Sequence, residues 1–200
     1  MKKRKYKLIV FLCLLALITT LFALLNGYRF TPQQAIKASS LIQGDFRIID
    51  EVDRNWIKVY VIETQNGIKT ATAEKRGFMW FCHITTYIYD DIIKNDPVKT
   101  VGWACYSKET DKQITVFAVQ TDDPNVSYIE AGPNSDRQRI NMPINETVLF
   151  IWDKIVHNKD LNAIAYDEND RPIYKYEYNP DHLNVTDAKE LKWYPCSDNG

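Results

Sequence analysis

The 200-residue chain is nearly neutral, with 25 basic and 26 acidic residues, but its charge is unevenly distributed. Five of the basic residues precede position 8, and no acidic residue falls within positions 1–27. Positions 28–200 therefore carry 20 basic and 26 acidic residues, a net charge of −6. An acidic body of this kind argues against a nucleic-acid partner, because phosphate contacts need clustered Lys and Arg. The 45 % apolar content excludes a disordered chain.

An apolar run near the N-terminus is the first predicted element. Leu8 to Leu25 contains 18 residues, of which only Thr19 and Thr20 are polar. As a helix the run would be about 27 Å long, close to the thickness of about 30 Å of a bilayer's hydrocarbon core. The basic cluster before it predicts a cytoplasmic N-terminus and an extracytoplasmic body. We therefore predict a cytoplasmic segment (1–7), a transmembrane signal anchor (8–27) and an extracytoplasmic domain (28–200).

Two other interpretations of this run are possible from its composition. A cleaved secretory signal requires small residues three positions and one position before the cut, but Ala23 has Leu21 two residues before it. A lipoprotein signal requires a small residue before the acylated cysteine, but Cys13 follows Leu12 in the middle of the run. The length of the run favours a retained anchor, with a cleaved signal as the alternative.

The body is predicted to begin with a short helix. Thr31-Pro32-Gln33-Gln34 has the form of a capping box, with Thr as the N-cap and Pro in the first turn. The apolar residues that follow indicate a helix of about three turns, which Gly44 would end.

The rest of the body shows the alternating and β-branched patterns of strands. Asn66-Gly67 predicts a tight hairpin that would pair Tyr60 with Ala73 and Ile62 with Ala71 on the core side. Turn-forming clusters separate further predicted strands at 78–89, 100–107, 113–121, 127–131, 147–152, 161–166 and 173–178, and 186–192 suggests a final helical turn. The predicted fold is mainly β, as an antiparallel sheet, meander or sandwich with one short N-terminal helix; α+β is the alternative.

Candidate catalytic residues are few. The three histidines do not occur at metal-ligand spacing, and the chain contains neither a nucleophile-elbow motif nor a glycine-rich phosphate loop. We therefore assign no catalytic residue, metal or cofactor. An enzyme would need a carboxylate and a histidine to converge in a cleft, the candidates being Asp90, Asp91 or Glu130 with His83 or His157.

One acidic tetrapeptide is similar to the opening of a calcium-binding loop. Asp167-Glu168-Asn169-Asp170 has the initial ligand types, but Arg171 and Pro172 occupy the positions where such a loop requires a ligand and a Gly. We predict a solvated β-turn instead.

The aromatic residues suggest a binding surface. Tyr174, Tyr176 and Tyr178 alternate along one predicted strand and therefore share one face. An exposed tyrosine row would suit contact with a peptide or glycan, whereas a buried row would be part of the core.

The cysteines suggest a disulfide. If strands 78–89 and 100–107 form a hairpin centred between Ile93 and Lys94, Cys82 and Cys105 lie opposite each other at a bridging distance. An extracytoplasmic location would permit their oxidation. The alternative is two buried free thiols, and Cys196 is left unpaired.

The layout resembles the uncharacterised single-pass extracytoplasmic proteins of Gram-positive, Bacillus-type bacteria. A basic start and apolar anchor precede Thr31-Pro-Gln-Gln-Ala-Ile-Lys-Ala38, and a β domain follows with Gly102-Trp103 and Glu190-Leu-Lys-Trp-Tyr194. The resemblance implies a role in the cell envelope but no activity. We expect a membrane-anchored binding or regulatory module for an envelope protein, peptide or polymer. The alternative is a surface hydrolase that acts on envelope material.

Overall fold

The computed structural model describes residues 2–42, 44–65, 67–83, 95–179 and 190–196. Five residues named in the sequence analysis lie outside these ranges: Asn66, Asp90, Asp91, Ile93 and Lys94. Within them the chain is mainly β, with three antiparallel sheets and few helices, which confirms the predicted fold class.

The first helix, α1, spans Lys2–Leu25, and its segment Arg4–Leu25 is long and apolar enough to cross a membrane. It ends in a Schellman motif. The Tyr28 amide donates to the Ala23 carbonyl at 3.1 Å, and the Gly27 amide donates to the Leu24 carbonyl at 3.2 Å. Gly27 has a φ of +86°, the left-handed conformation that this motif requires and that glycine adopts without strain. The helix therefore ends with the last residue of the apolar run, Leu25.

The second helix, α2, spans only Pro32–Lys37 and is shorter than predicted. Its N-cap is as expected, because the Thr31 hydroxyl accepts a hydrogen bond from the Gln34 amide at 3.3 Å. The helix ends before Ser39, whose hydroxyl accepts a hydrogen bond from the Leu41 amide. Serine forms such local bonds in competition with a helix, which accounts for the early end.

Beyond α2, the described residues form twelve strands and one further short helix. The strands are β1 (Arg47–Arg54), β2 (Ile57–Thr64), β3 (Gly67–Arg76), β4 (Met79–His83), β5 (Val98–Glu109), β6 (Lys112–Thr121), β7 (Tyr128–Ala131), β8 (Gln138–Asn141), β9 (Thr147–Trp152), β10 (Ile164–Tyr166), β11 (Pro172–Tyr178) and β12 (Leu191–Pro195). Helix α3 (Asn158–Leu161) precedes β10. Residues 186–189 of the predicted final helical turn lie outside the described residues, and its end was wrong, because β12 begins at Leu191.

Three sheets are stacked. The first sheet has the order β1-β2-β3-β4, the middle sheet β5-β6-β9, and the third sheet β12-β11-β10-β7-β8. Strand β6 shows how they stack, because its alternate residues enter different cores. Val116 packs with Val59 of the first sheet, whereas Phe117 packs with Trp193 of the third. The middle sheet is thus covered on both faces.

The β2–β3 hairpin forms, but its register differs from the predicted one by two residues. Tyr60 pairs with Ala71 and Lys58 pairs with Ala73. A shift of two residues keeps every side chain on the same face. Tyr60, Ile62, Ala71 and Ala73 are therefore all buried, under α2, as expected for the core side.

The predicted hairpin between the two cysteine-bearing strands is wrong. Strand β4 pairs with β3, which places Cys82 opposite Ala73, and β5 pairs with β6, which places Cys105 opposite Thr115. The two-residue turn at Gly77-Phe78 joins β3 directly to β4, and so supplies β4 with a nearer partner. Both thiols are free in this structure.

Candidate functional site

A cleft that combines charged and aromatic side chains lies at one end of the third sheet. It has a volume of about 640 Å³ and is lined by Asp123 and Ser127, by the β10–β11 turn, and by Tyr174 and Pro195. We call it the β10–β11 cleft. Ligand-binding clefts commonly have volumes of about 300–1,000 Å³, so this one can hold a small molecule or a peptide side chain.

Asp123 forms one wall of the cleft and is held rigidly. Its Oδ1 accepts hydrogen bonds from the backbone and side-chain nitrogens of Asn125, at 2.9 and 2.8 Å. Its Oδ2 accepts a bond from the Tyr174 hydroxyl at 2.8 Å. Burial acts to raise the pKa of Asp123, but these hydrogen bonds outweigh it and the pKa is lowered. The carboxylate is therefore charged at neutral pH.

Asp167 shapes the opposite wall. Its Oδ1 accepts hydrogen bonds from the backbone amides of Asn169 and Arg171, both at 2.9 Å, and its Oδ2 pairs with the Arg171 guanidinium at 2.8 Å. The Arg171 backbone bond is the first of the interactions that lower the pKa of Asp167. The Asp170 amide donates to the Asp167 carbonyl at 3.3 Å, so the acidic tetrapeptide forms the predicted turn.

The cleft has a net negative charge. Asp123, Asp167 and Glu168 contribute three carboxylates and Arg171 one guanidinium, which leaves a charge of −2 at its lining. Tyr174 adds an aromatic ring. Among the described residues that line the cleft there is no histidine or cysteine. The arrangement can bind a cationic or hydrogen-bonding group, and its residues do not form a nucleophile–base pair.

A second polar cluster lies between the first and middle sheets, around Glu74, which is only 1 % exposed. Its Oε2 accepts hydrogen bonds from the Arg76 guanidinium at 2.9–3.0 Å and from the Tyr106 hydroxyl at 2.7 Å, and it lies 3.1 Å from the His83 Nε2. Lys108 pairs with Oε1 at 2.7 Å. We call these residues the Glu74 cluster.

The Glu74 cluster connects the end of α1 to both sheets. Arg76, on β3, also donates to the Tyr28 hydroxyl at 3.0 Å, just after α1, and Tyr106 lies on β5. Burial acts to raise the pKa of Glu74, but the hydrogen bonds from Arg76, Lys108 and Tyr106 lower it to about 2. The carboxylate is thus permanently charged near neutral pH, and its role in the fold is structural.

The carboxylate–histidine pairs predicted from the sequence are not formed by the described residues. Glu130 pairs with Arg137 at 3.0 Å, and His83 lies against Glu74, which the sequence analysis did not single out. His157 is the exposed N-cap of α3 and makes no side-chain cap bond. In the described part of the chain, no group of three or more His, Cys, Asp or Glu side chains is arranged to hold a metal.

The tyrosine row is not an exposed platform. Tyr176 packs against Phe117 and Trp193, with ring centroids 5.4 and 5.5 Å away. Tyr174 also packs on the core, and the hydroxyl of Tyr178 accepts a hydrogen bond from Asn158. All three are half-buried, because the face of β11 that carries Tyr174 and Tyr176 packs on the core shared with Phe117 of the middle sheet. Only Tyr174 reaches the cleft.

The Cys82 thiol is poorly suited to nucleophilic catalysis. Cys82 packs against the buried hydrophobic residues beneath α2, and burial raises the pKa of its thiol to about 11. Cys105 accepts a hydrogen bond from the Thr115 hydroxyl at 3.7 Å.

Comparison of the chain with protein-family models, with characterised proteins and with solved structures finds no match. The interpretation of the cleft and of the Glu74 cluster therefore depends on their own geometry.

Proposed function

We propose that the protein is a membrane-anchored, extracytoplasmic binding module whose ligand occupies the β10–β11 cleft. The observation that carries this proposal is the placement of the cleft relative to α1. The end of α1 is bound to the Glu74 cluster, which adjoins the beginning of the central strand β6, whereas the cleft adjoins the end of that strand. A body anchored by α1 would thus present its cleft away from the bilayer.

The connection between α1 and the body supports an anchor that holds the body firmly. The backbone of Arg29 forms two hydrogen bonds with that of Trp80 on β4, at 2.7 and 2.9 Å. The Arg29 guanidinium donates to the carbonyl of Leu24 at 2.7 Å, at the negative end of the helix dipole. Only a few residues separate helix from sheet, and these bonds replace a flexible linker.

The distance along β6 supports a cleft that is remote from the membrane. Tyr106 of the Glu74 cluster pairs with Ile114, near the beginning of β6, whereas Asp123 follows the last residue of this strand, Thr121. Thr121 is seven positions after Ile114 along the strand, which corresponds to a distance of about 23 Å. A ligand in the envelope could thus reach the cleft without displacing the body.

The charges of the cleft support a cationic ligand. Its two ordered carboxylates are charged at neutral pH and already fixed in position, so that binding would require little reorganisation. We infer that the ligand is an envelope protein, peptide or polymer with an amino or guanidino group, which would lie beside Asp123 and the ring of Tyr174.

A surface hydrolase is the second candidate, and the contact between Glu74 and His83 is the observation that favours it. The other contacts of the His83 ring are with Phe81, Tyr106 and Arg76. Within the described residues, none of its contacts is a serine or threonine hydroxyl or a thiol that it could activate. The binding module is therefore the better supported function.

The test uses the full chain in nanodiscs and calorimetric titration with oligolysine and with its fully Nε-acetylated form. We expect oligolysine to bind, the acetylated peptide not to bind, and Glu168→Gln to weaken binding. The matched control is Asp111→Asn, which removes an exposed carboxylate from the turn at the other end of β6. Equal loss in both variants would indicate attraction to the acidic body as a whole and would overturn the cleft assignment.

A further inference from the structure

Two exposed aromatic side chains lie beside the end of α1. Phe78 is 71 % exposed and Phe30 is 53 % exposed, and their rings stack with centroids 6.3 Å apart. Outside α1, the other exposed large hydrophobic residues among those described are Leu41, Ile48 and Ile144. Exposed aromatic side chains that pack together indicate a contact surface, because the exposure of their rings to water is unfavourable.

Phe78 is at the tip of the β3–β4 hairpin. Gly77 provides the positive φ, +63°, that the two-residue turn needs, so the turn geometry does not require an aromatic residue at the next position. Lys75 and Arg76 precede the turn. A hairpin tip with basic and aromatic residues has the composition of segments that enter the headgroup region of a bilayer.

The backbone holds this tip close to the level at which α1 ends. Arg29 pairs with Trp80, two residues after Phe78, and Phe30 follows Arg29 directly. Phe30 also shares a groove with Leu24, which belongs to the last turn of α1. If α1 spans the membrane to Leu25, the aromatic pair therefore lies at the membrane–water interface.

The groove itself is suited to a lipid. It has a volume of about 510 Å³ and lies between the end of α1 and α2. Leu24 and Phe30 supply apolar surface, and the exposed Lys37 supplies a cation. A phospholipid would place its chain along the apolar wall and its phosphate near the lysine.

The charge of the surrounding segment differs from that of the body. Positions 1–44 contain no acidic residue, and Arg29 and Lys37 are the two basic residues after α1 in this range. Positions 45–200 hold 18 basic and 26 acidic residues, a net charge of −8. An anionic bilayer would thus attract this segment and repel most of the body, which favours one orientation.

We propose that Phe30, Phe78 and Lys37 form a juxtamembrane face that rests on the outer leaflet, with the two rings among the lipid headgroups and Lys37 bound to an anionic phospholipid. This inference rests on the proposed function, because it requires α1 to be retained as the anchor. It deepens that function by giving the body a fixed orientation with the β10–β11 cleft directed outward.

Photo-crosslinking of the full chain in nanodiscs tests the proposal. The photoreactive residue p-benzoylphenylalanine is placed singly at Phe78, at Phe11 in α1, or at Ile144. Ile144 is a matched control, because it is 50 % exposed and follows β8, near the end of β6 that adjoins the cleft. After irradiation, intact mass spectrometry identifies phospholipid adducts. We expect adducts at Phe11 and Phe78 and none at Ile144.

The three positions separate the two proposals. Adducts at Phe11 without adducts at Phe78 would overturn the juxtamembrane face and leave the anchor intact. Absence of adducts at Phe11 would overturn the membrane anchor and the face together. A further protein carries the photoreactive residue at Phe30, which lines the groove together with Lys37. In nanodiscs that mix phosphatidylglycerol with phosphatidylcholine, the phosphatidylglycerol share of its adducts should exceed the share in the bilayer, and Lys37→Gln should remove the excess. An equal share in the unsubstituted protein would overturn the role of Lys37.

Discussion

At the residue scale, Glu74 links the segment that follows α1 to two sheets. Its carboxylate is nearly inaccessible to water, yet Arg76, Lys108 and Tyr106 supply enough hydrogen bonds to keep it charged. A buried charge of this kind is tolerated only while its partners remain, because an unpaired buried charge costs several kcal/mol. Glu74 is therefore the residue at which a small chemical change should have the largest effect on the fold.

Glu74→Gln tests this directly. The amide keeps the shape of the side chain but loses the charge-assisted bonds to Arg76 and Lys108, so the free energy of unfolding should fall by about 2 kcal/mol. Urea unfolding of the full chain, followed by tryptophan fluorescence, measures the change. The control is Glu63→Gln, since Glu63 pairs with Arg47 at the surface and the loss should be below about 1 kcal/mol. Equal effects of the two variants would contradict a structural role for Glu74.

The pH dependence of stability should also differ between the protein and its Glu74→Gln variant. The pKa of Glu74 is lowered from its ordinary value of 4.5 to about 2 in the folded state. Its contribution to stability is thus fully present above pH 4.5 and is lost as the pH falls towards 2. The difference in unfolding free energy between the protein and the variant should shrink over this range. A difference that stays constant down to pH 2 would show that Glu74 does not have a lowered pKa.

At the scale of elements, the stacking of the first and middle sheets depends on a close approach at Gly102. A Cβ there would lie 2.7 Å from the Thr70 Cγ2 and 3.3 Å from the Ala118 Cβ. The first of these distances is shorter than any normal contact, so the sheets could not remain in place around a larger residue. The glycine thereby sets the separation of two layers.

Gly102→Ala should destabilise the protein by about 1–3 kcal/mol through overpacking. Thr70→Ser removes the methyl group that would clash but keeps the hydroxyl that donates to the Trp103 carbonyl at 3.2 Å. The double variant should therefore be more stable than the sum of the two single effects predicts, and a double-mutant cycle measures this coupling. Strictly additive effects would contradict the close approach.

Strand pairing gives the prediction for the cysteines. Cys82 lies on the face of the first sheet that packs against α2. Tyr106 faces the first sheet, and adjacent residues of a strand point to opposite faces, so Cys105 points away from the first sheet. We expect both thiols to be alkylated in the denatured, non-reduced protein and seen as free by mass spectrometry of its digest. A peptide pair linked through Cys82 and Cys105 would show that the strands pair differently in solution.

The elements that could be predicted from the sequence are those with local signals. The cap at Thr31, the hairpin after Tyr60 and the boundaries of β9 follow from short-range patterns. The polar strand β8 has no apolar alternation, and so it was missed. Glu74 shares a face with Thr70 and Thr72 that the pattern assigns to solvent; it is buried only because a second sheet covers it. Such coverage is a property of topology, which no local pattern encodes.

At the scale of the whole molecule, the fold places three regions in order along β6. The apolar helix α1 is at one end, the Glu74 cluster ties that helix to the sheets, and the β10–β11 cleft opens at the other end of β6. In the sequence, the residues of the cleft are spread from Asp123 to Pro195. The turn at Asp167 could be predicted, but its approach to Asp123 and Tyr174 could not, because it depends on how β10 and β11 are placed in the third sheet.

The proposed function depends most on α1 being a retained anchor that holds the body outside the cell. Protease treatment of intact cells tests this most directly, with mass spectrometry of the membrane-embedded remnant and of the mature N-terminus. We predict that the body is digested, while a fragment that begins at the original N-terminus and contains α1 stays in the membrane. Full protection of residues 28–200 would contradict an extracytoplasmic body. A mature N-terminus beyond Ala23 would contradict a retained anchor.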